Sequence, residues 1–241
     1  MRYGIFSDIH ANLEALQAVI AALQREHIDV YLCPGDLVGY GANPEECIEV
    51  VQGLKAMSVA GNHDWAVLGQ TNLEYFNPIA KAAVLWTQSH LSSKATQFLK
   101  DLPLVSQNEE VMMVHAALPH PEEFDYLMDM RGAEQMFSFL QRNVCFIGHT
   151  HIPFIVKKEQ GRIITEETFR TKIDPDCQYI VNVGSVGQPR DGNPRAAYCI
   201  FDSKFNTLVI ERVDYDIQHA QTKIIEAGLP EQLAARLSFG K

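Results

Sequence analysis

The chain carries nine histidines, and their spacing is the first clue to its chemistry. Neutral imidazole is the commonest transition-metal ligand and the usual acid–base group near pH 7. Five of the nine fall in short clusters with carboxylates or an amide: Asp8 with His10, Asp36, Asn62 with His63, His115, and His149 with His151. With His63 set aside, these clusters offer two carboxylates, four imidazoles and one amide oxygen. A single tetrahedral zinc takes about four ligands. Seven are better explained by two ions roughly 3.5–4 Å apart, with one carboxylate bridging them through its two oxygens. Mixed nitrogen and oxygen ligation without thiolate suits Mn, Fe, Co, Ni or Zn better than copper(I) or an iron–sulfur cluster, and does not rank those metals. Asp8 and His10 lie two residues apart, a spacing that in an extended segment turns both side chains the same way to grip one ion; His149 and His151 share it.

Each cluster alone also has a plain structural reading. Asp8-Ile9-His10 could cap a helix, Gly35-Asp36 could be a turn, Gly61-Asn62-His63-Asp64 could be an Asn-capped turn, and His115 could be a hydrogen-bonded core imidazole. What favours a metal site is that all of them follow short apolar runs in one chain.

Those runs must position the clusters. Arg2 to Phe6 reads as a strand, and Asn12 can cap a helix with Leu13, Leu16, Ile20 and Leu23 on its apolar face. Val30 to Cys33 leads into Pro34-Gly35-Asp36 and a helix from about Pro44 to Leu54; Met57 to Ala60 leads into Gly61-Asn62-His63-Asp64. From Asp64 to Asp101 the pattern is helical, with Ile79, Ala83, Trp86 and His90 on one face. Leu104-Val105 and Val111 to Val114 form a strand pair that delivers His115, and 116–130 is a loop expected to overhang the site. Val144 to Ile147 is a strand ending in Gly148-His149-Thr150-His151. Five short strands then follow, before a helical tail over 214–241. The alternation predicts an α/β fold of two mixed sheets packed face to face with helices outside, and the clusters lie at the C-terminal strand ends, where loops from neighbouring strands converge.

Twenty Lys and Arg stand against thirty Asp and Glu, a formal net charge of −10. That surplus of carboxylate disfavours a nucleic-acid polymer as partner, because affinity for a phosphate backbone comes from clustered Lys and Arg. Two divalent ions would nonetheless bring local positive charge to one crevice, so a small phosphorylated molecule is not disfavoured. The five cysteines contain no CxxC pair and read as reduced, buried thiols. No apolar run reaches the roughly 18 residues of a membrane span and no cleavable leader is visible, so no membrane partner is expected and the cytoplasm is the expected compartment. Oligomeric state is not legible in the sequence.

In order and spacing, Asp8-Ile9-His10, Gly35-Asp36, Gly61-Asn62-His63-Asp64, His115 and Gly148-His149-Thr150-His151 resemble the calcineurin-like metallophosphoesterase superfamily, over residues 1 to about 187. The segment Val183 to Arg190 is also similar to the Asn-x-Gly-Ser-x turn of a small bacterial and archaeal branch. That branch includes phosphodiesterases and proteins similar to diadenosine tetraphosphate hydrolases. The resemblance implies one domain over 1–241, a four-layer αββα sandwich. It implies that Asp8, His10, Asp36 and His151 hold one ion, and that Asp36, Asn62, His115 and His149 hold the second. It further implies in-line attack on phosphorus by a hydroxide formed at the ions, with His63 protonating the leaving oxygen.

One departure matters. The family's protein phosphatases have an Asp-Arg pair where Gly39 and Tyr40 stand here, which disfavours a phosphoprotein substrate. Asp64 is then a candidate to orient His63, and Arg190 and Arg195 are candidates to grip phosphate, since guanidinium matches phosphate geometry. The expected activity is hydrolysis of a small phosphodiester or a dinucleoside polyphosphate; a phosphoprotein phosphatase and a non-catalytic scaffold are the alternatives. His27, His90, His120 and His219 match no motif, and Tyr40, Tyr75, Phe76 and Trp86 are expected in core packing.

Overall fold

Short apolar runs buried on both faces build the centre of the molecule. The computed structural model describes Met1 to Lys241. The strands are β1 (Arg2–Ile5), β2 (Val30–Cys33), β3 (Met57–Ser58), β4 (Val105–Gln107), β5 (Val111–Val114), β6 (Val144–Ile147), β7 (Phe154–Glu159), β8 (Arg162–Thr165), β9 (Arg170–Lys172), β10 (Gln178–Asn182), β11 (Ala196–Asp202) and β12 (Thr207–Val213). The helices are α1 (Leu13–Gln24), α2 (Pro44–Gly53), α3 (Asn62–Val67), α4 (Pro78–His90), α5 (Ser93–Lys100), α6 (Met130–Phe137), α7 (Ile217–Glu226) and α8 (Glu231–Leu237).

The strands form two six-stranded mixed sheets, one ordered β3-β2-β1-β11-β12-β9 and the other β4-β5-β6-β10-β7-β8. Within the first, β1, β2 and β3 run parallel, with Ile5 opposite Leu32 and Cys33 opposite Ser58. Within the second, β5, β6 and β10 run parallel, with Met113 opposite Phe146 and Val181 opposite Phe146 on its other side.

Strand alternation sorts side chains to two faces. In β5 and β6, Val111, Met113, Val144 and Phe146 turn inward against Ile5, Leu32, Cys199 and Phe201 of the other sheet. Met112, Val114, Cys145 and Ile147 turn outward against Ala133, Met136 and Phe137 of α6. Both faces are covered, which is why these strands read as unbroken apolar runs. Fully burying a side chain such as Phe146 or Ile5 stabilises by about 1.5–3 kcal/mol. On the far side, α1 and α2 cover the first sheet through Leu16, Val19, Leu23, Ile48 and Val51. The layers are therefore helix, sheet, sheet, helix, as expected. The tail forms α7 and α8, which pack through Ile224, Leu233 and Leu237 on Ala80, Ala83 and Tyr40. All five cysteines are buried and unpaired. No helix is long and apolar enough to cross a membrane.

The region expected to be helical from Asp64 to Asp101 is broken into α3, α4 and α5. Gly69 has φ +71°, and Asn77 and Ser92 cap new helices by accepting from the amides of Ala80 and Ala95. The buried face of α4 is Ala80, Ala83, Val84 and Thr87, not the stripe through Ile79 and His90. Ile79 and Trp86 are half-buried against the cluster that Ala80 and Ala83 share with the C-terminal helices, in keeping with the core packing expected of Trp86, which also stacks on the exposed His90 at 3.9 Å. Strand β9 has too few apolar residues to be seen in the sequence; it pairs at the sheet edge with β12.

Candidate metal centre

The carboxyl ends of β1, β2 and β3 meet those of β5, β6 and β10 at one edge of the sandwich, and the turns leaving them carry every predicted site cluster. The turns are tied by backbone bonds: Asp8 N–H donates to Gly35 O (3.0 Å), His10 N–H to Asp36 O (3.1 Å), Gly148 N–H to His115 O (3.0 Å) and Gly187 N–H to Asp8 O (2.9 Å). The Asp8 carboxylate accepts from the amide of His149 at 3.1 Å, bridging the two sheets.

Asp8 and His10 do enter one ligand group, as their spacing suggested, but the backbone that delivers them is not extended, and His149 and His151 part. Asp8, His10, Asp36, His149 and His151 all have φ between +50° and +69°. Non-glycine residues adopt this left-handed conformation rarely and at a cost, and such strain concentrates at functional sites. His149 and His151 enter different groups.

Ligand atoms of Asp8, His10, Asp36 and His151 gather within 4.8 Å of one another, and so do those of Asp36, His115 and His149. Asp36 Oδ2 lies 3.5 Å from His10 Nε2 and 3.4 Å from His115 Nε2, so one carboxylate serves both groups. Asn62 Oδ1 stands 3.3 Å from His115 Nε2. Glycines make room for this crowding: a Cβ on Gly61 would sit 2.1 Å from Asp36 Oδ1.

Backbone carbonyls fix the tautomers. His10 Nδ1 is 3.1 Å from Val38 O, His115 Nδ1 is 2.7 Å from Pro34 O and His151 Nδ1 is 2.6 Å from Gln188 O. An Nδ1 that donates outward leaves Nε2 with a lone pair facing inward, the arrangement of metal-ligating histidines. His10 Nε2 and His151 Nε2 then face each other at 2.9 Å, two lone pairs that a cation between them reconciles. His149 Nε2 is buried without a hydrogen-bond partner. The donor set therefore fits divalent metal.

Burial holds His149 down to about 3 and His63 down to about 4, and lowers His10 and His151. Burial also works against a charged His115, but the adjacent Asp36 carboxylate outweighs it and raises His115 to about 9. Asp36 in turn is held well below the carboxylate range by His115, His63 and His10, against its own desolvation.

His63 sits at the rim of this centre. Its backbone N–H donates to Asp36 Oδ1 (2.9 Å), and its ring packs against His10 at 4.8 Å, Tyr40 at 4.4 Å and Phe76 at 5.2 Å. Asp64 does not orient it, which corrects the sequence expectation. Asp64 Oδ1 accepts from the amides of Leu37 (2.9 Å) and Val38 (3.3 Å), and Oδ2 accepts from the amide of Gly61 (2.9 Å). The carboxylate thus ties the second turn to the first turn of α3. Adjacent residues on a helix point apart, so it could not do both. His63 Nδ1 has no partner, and a Cβ on Gly39 would lie 2.5 Å from it.

Arg190 reaches the centre: its Nη2 is 3.3 Å from Tyr40 Oη and 3.0 Å from Gln188 Oε1, while its Nε is buried and unpartnered. Arg195 does not reach it. It is exposed, its Nε bonds to Asn193 Oδ1 (3.4 Å), and it turns away because the following residue opens β11. Tyr40 is a wall of the site beyond its core packing, and Tyr75 is 85% exposed where core packing was expected. His120 is exposed and pairs with Glu122.

Three contributors escaped sequence reasoning. Asn182 donates to Gly148 O (2.6 Å) and Thr150 Oγ1 (3.0 Å), and accepts from Gly184 N–H (2.9 Å). Ser185 Oγ donates to Asp8 O (2.8 Å) and accepts from Gln188 N–H (2.8 Å). The Asn-x-Gly-Ser turn was the signal for both. Tyr126 gave none: it stacks on His149 at 4.0 Å from the loop before α6, which also brings Phe124 to 6.0 Å from His115. Both rings come from 116–130.

Comparison with known proteins gives the same picture. A family model described as the calcineurin-like phosphoesterase superfamily domain matches residues 1–205. An uncharacterized protein, MJ0912, from Methanocaldococcus jannaschii is 43% identical over 242 residues, 99% of this chain and 98% of its own length. Phosphodiesterase YfcE of Escherichia coli K12 is 24% identical over 211 residues, 87% of this chain and 91% of its own. The crystal structure of a metallophosphoesterase from Sphaerobacter thermophilus superposes with a TM-score of 0.88 at 38% identity, covering 100% of this chain and 99% of that one.

Proposed function

The chain belongs to the calcineurin-like phosphoesterase superfamily and is a metal-dependent phosphoester hydrolase, and from that premise we propose that it cleaves small phosphodiesters or dinucleoside polyphosphates at a two-ion centre. The observation that carries the reading is the pair of ligand groups sharing Asp36, with His63 and Arg190 beside them. Asp8, His10, Asp36 and His151 would hold one ion; Asp36, Asn62, His115 and His149 would hold the other. Drawn from Mn, Fe, Zn, Co or Ni, such ions would supply Lewis acidity toward phosphoryl oxygens and would lower the pKa of water toward neutrality.

The protein's own groups do the rest. Arg190 is held over Tyr40 by the bonds of its Nη2 to Tyr40 and Gln188, which points its guanidinium toward a phosphoryl oxygen at the centre. His63 hands a proton to the departing oxygen. Burial keeps the free imidazole neutral, and an anionic phosphoryl group beside it favours the protonated form. The overhanging loop with Tyr126 narrows the approach, which favours a small substrate over a folded phosphoprotein.

The test is a substrate panel. The protein is stripped with a chelator, reloaded with Mn²⁺, Co²⁺, Ni²⁺ or Zn²⁺, and assayed on bis(p-nitrophenyl) phosphate, p-nitrophenyl phosphate, diadenosine tetraphosphate and a phosphopeptide. Metal-stimulated turnover of the diester or the dinucleotide is expected. Turnover of the phosphopeptide alone, or of nothing, refutes the proposal.

A further inference from the structure

Beside the metal centre, on the side of the second sheet, lies a cavity of about 350 Å³, at the lower end of the range for small-molecule sites. Its walls are mostly apolar: Leu127, Met130, Ala133, Ile152, Phe154 and Val156, with Met128 and Thr165 at the rim. Two of the segments that line it also build the centre. Thr150 stands between His149 and His151, and Leu127 directly follows Tyr126, the residue stacked on His149. The cavity therefore abuts the turn that carries His149 and His151, through Thr150.

Two polar side-chain atoms in its wall are already engaged. Thr150 Oγ1 is shared between Asn182 Nδ2 (3.0 Å) and the backbone of Ile152 (3.2 Å), and Asp129 caps α6 by accepting from Gly132 N–H (2.8 Å). An occupant finds apolar contact and little hydrogen bonding. Met128 and Met130, 75% and 48% exposed, give the rim an adaptable thioether surface that tolerates different shapes. A charged group gains nothing there.

We propose that this cavity seats an apolar or aromatic arm of a phosphodiester, the arm that stays on phosphorus after cleavage. The inference rests on the diesterase reading of the centre. His63 belongs to the turns of the first sheet, at the start of α3 after β3, packed on Tyr40, Phe76 and His10. The leaving arm points toward that proton donor, so the arm on the other side is the retained one. In the reaction the bond from phosphorus to the leaving oxygen breaks, a bond to the oxygen of water forms, and a proton goes to the leaving oxygen. The retained arm remains in the cavity as a monoester, without any change of oxidation state.

The test compares two diesters with one leaving group, bis(p-nitrophenyl) phosphate and methyl p-nitrophenyl phosphate, using the metal-loaded full chain. The ratio of their kcat/KM values is expected to exceed about tenfold, some 1.4 kcal/mol. Met128→Glu, which charges the rim, and Thr165→Phe, which fills it from an exposed edge-strand position, should each reduce the ratio at least threefold. Calorimetric binding of phenylphosphonate against methylphosphonate, uncleavable mimics of the retained monoester, reads the cavity without turnover and should show the same preference and the same loss. If neither diester is cleaved yet phenylphosphonate still binds preferentially and the variants abolish the preference, the diesterase reading fails and the cavity assignment stands. A ratio near one, or folded variants that leave both preferences intact, overturns the assignment. So does light scattering showing that Met128→Glu splits a dimer while the preferences persist.

Discussion

Asn182 offers the sharpest check on how the ligand turns are held. It is 0% exposed and makes three hydrogen bonds, to Gly148 O, Thr150 Oγ1 and Gly184 N–H. In Asn182→Ala, Gly148 O keeps one partner, the amide of Thr150, but the Gly184 amide is left without the acceptor it has here. Two lost bonds at about 1 kcal/mol each and one orphaned buried donor at about 1–3 kcal/mol give a loss of about 3–5 kcal/mol. In a domain of this size that lowers Tm by roughly 6–20 °C. The same bonds bracket His149, so ion affinity should fall about 10–100-fold, as for other groups that orient ligands. Asn182→Asp keeps the volume and the bond from Gly184, but turns an oxygen toward the Gly148 carbonyl oxygen and should not restore affinity. Stability is measured by urea unfolding in EDTA, and affinity by competition with a fluorescent chelator. A stability loss under 1 kcal/mol, or full stability loss with affinity within twofold of the natural chain, refutes the reasoning.

Two further outcomes follow from the site. His63→Ala should lower kcat about 10²–10⁴-fold while chelator competition shows ion affinity little changed; equal losses in both would assign His63 to binding. His115 gives a pH signature. Its pKa in the ion-free protein is raised from 6.5 to about 9, so its pairing with Asp36 contributes stability that is full below about pH 6.5 and lost as pH rises through about 9. An ion that takes Nε2 must displace that proton, so binding at pH 7.5 should release protons and apparent affinity should rise with pH up to about 9. Calorimetry in two buffers of different ionisation enthalpy measures the release, and its absence refutes the assignment.

Much of this was legible because the clusters are local. Asp8-Ile9-His10, Gly61-Asn62-His63-Asp64 and Gly148-His149-Thr150-His151 each follow a short apolar run, and such runs become strands whose ends converge. For His149 and His151, local reasoning from an extended strand erred. The left-handed turns at Asp8, His10, His149 and His151 aim the side chains differently from a pleated segment, and those turns persist through bonds between loops far apart in the chain.

The sequence by itself determined which residue types could hold metal, the order in which they occur and the layered class of fold, because these depend on composition and periodicity. Only the tertiary structure decided how near the imidazoles stand to Asp36, that Asp64 serves backbone amides in place of His63, and that Arg190 reaches the centre while Arg195 does not. It also brought Tyr126 onto His149 and opened the apolar cavity beside it. Each of these is a distance between side chains set by the packing of two sheets, and no spacing along one chain encodes it.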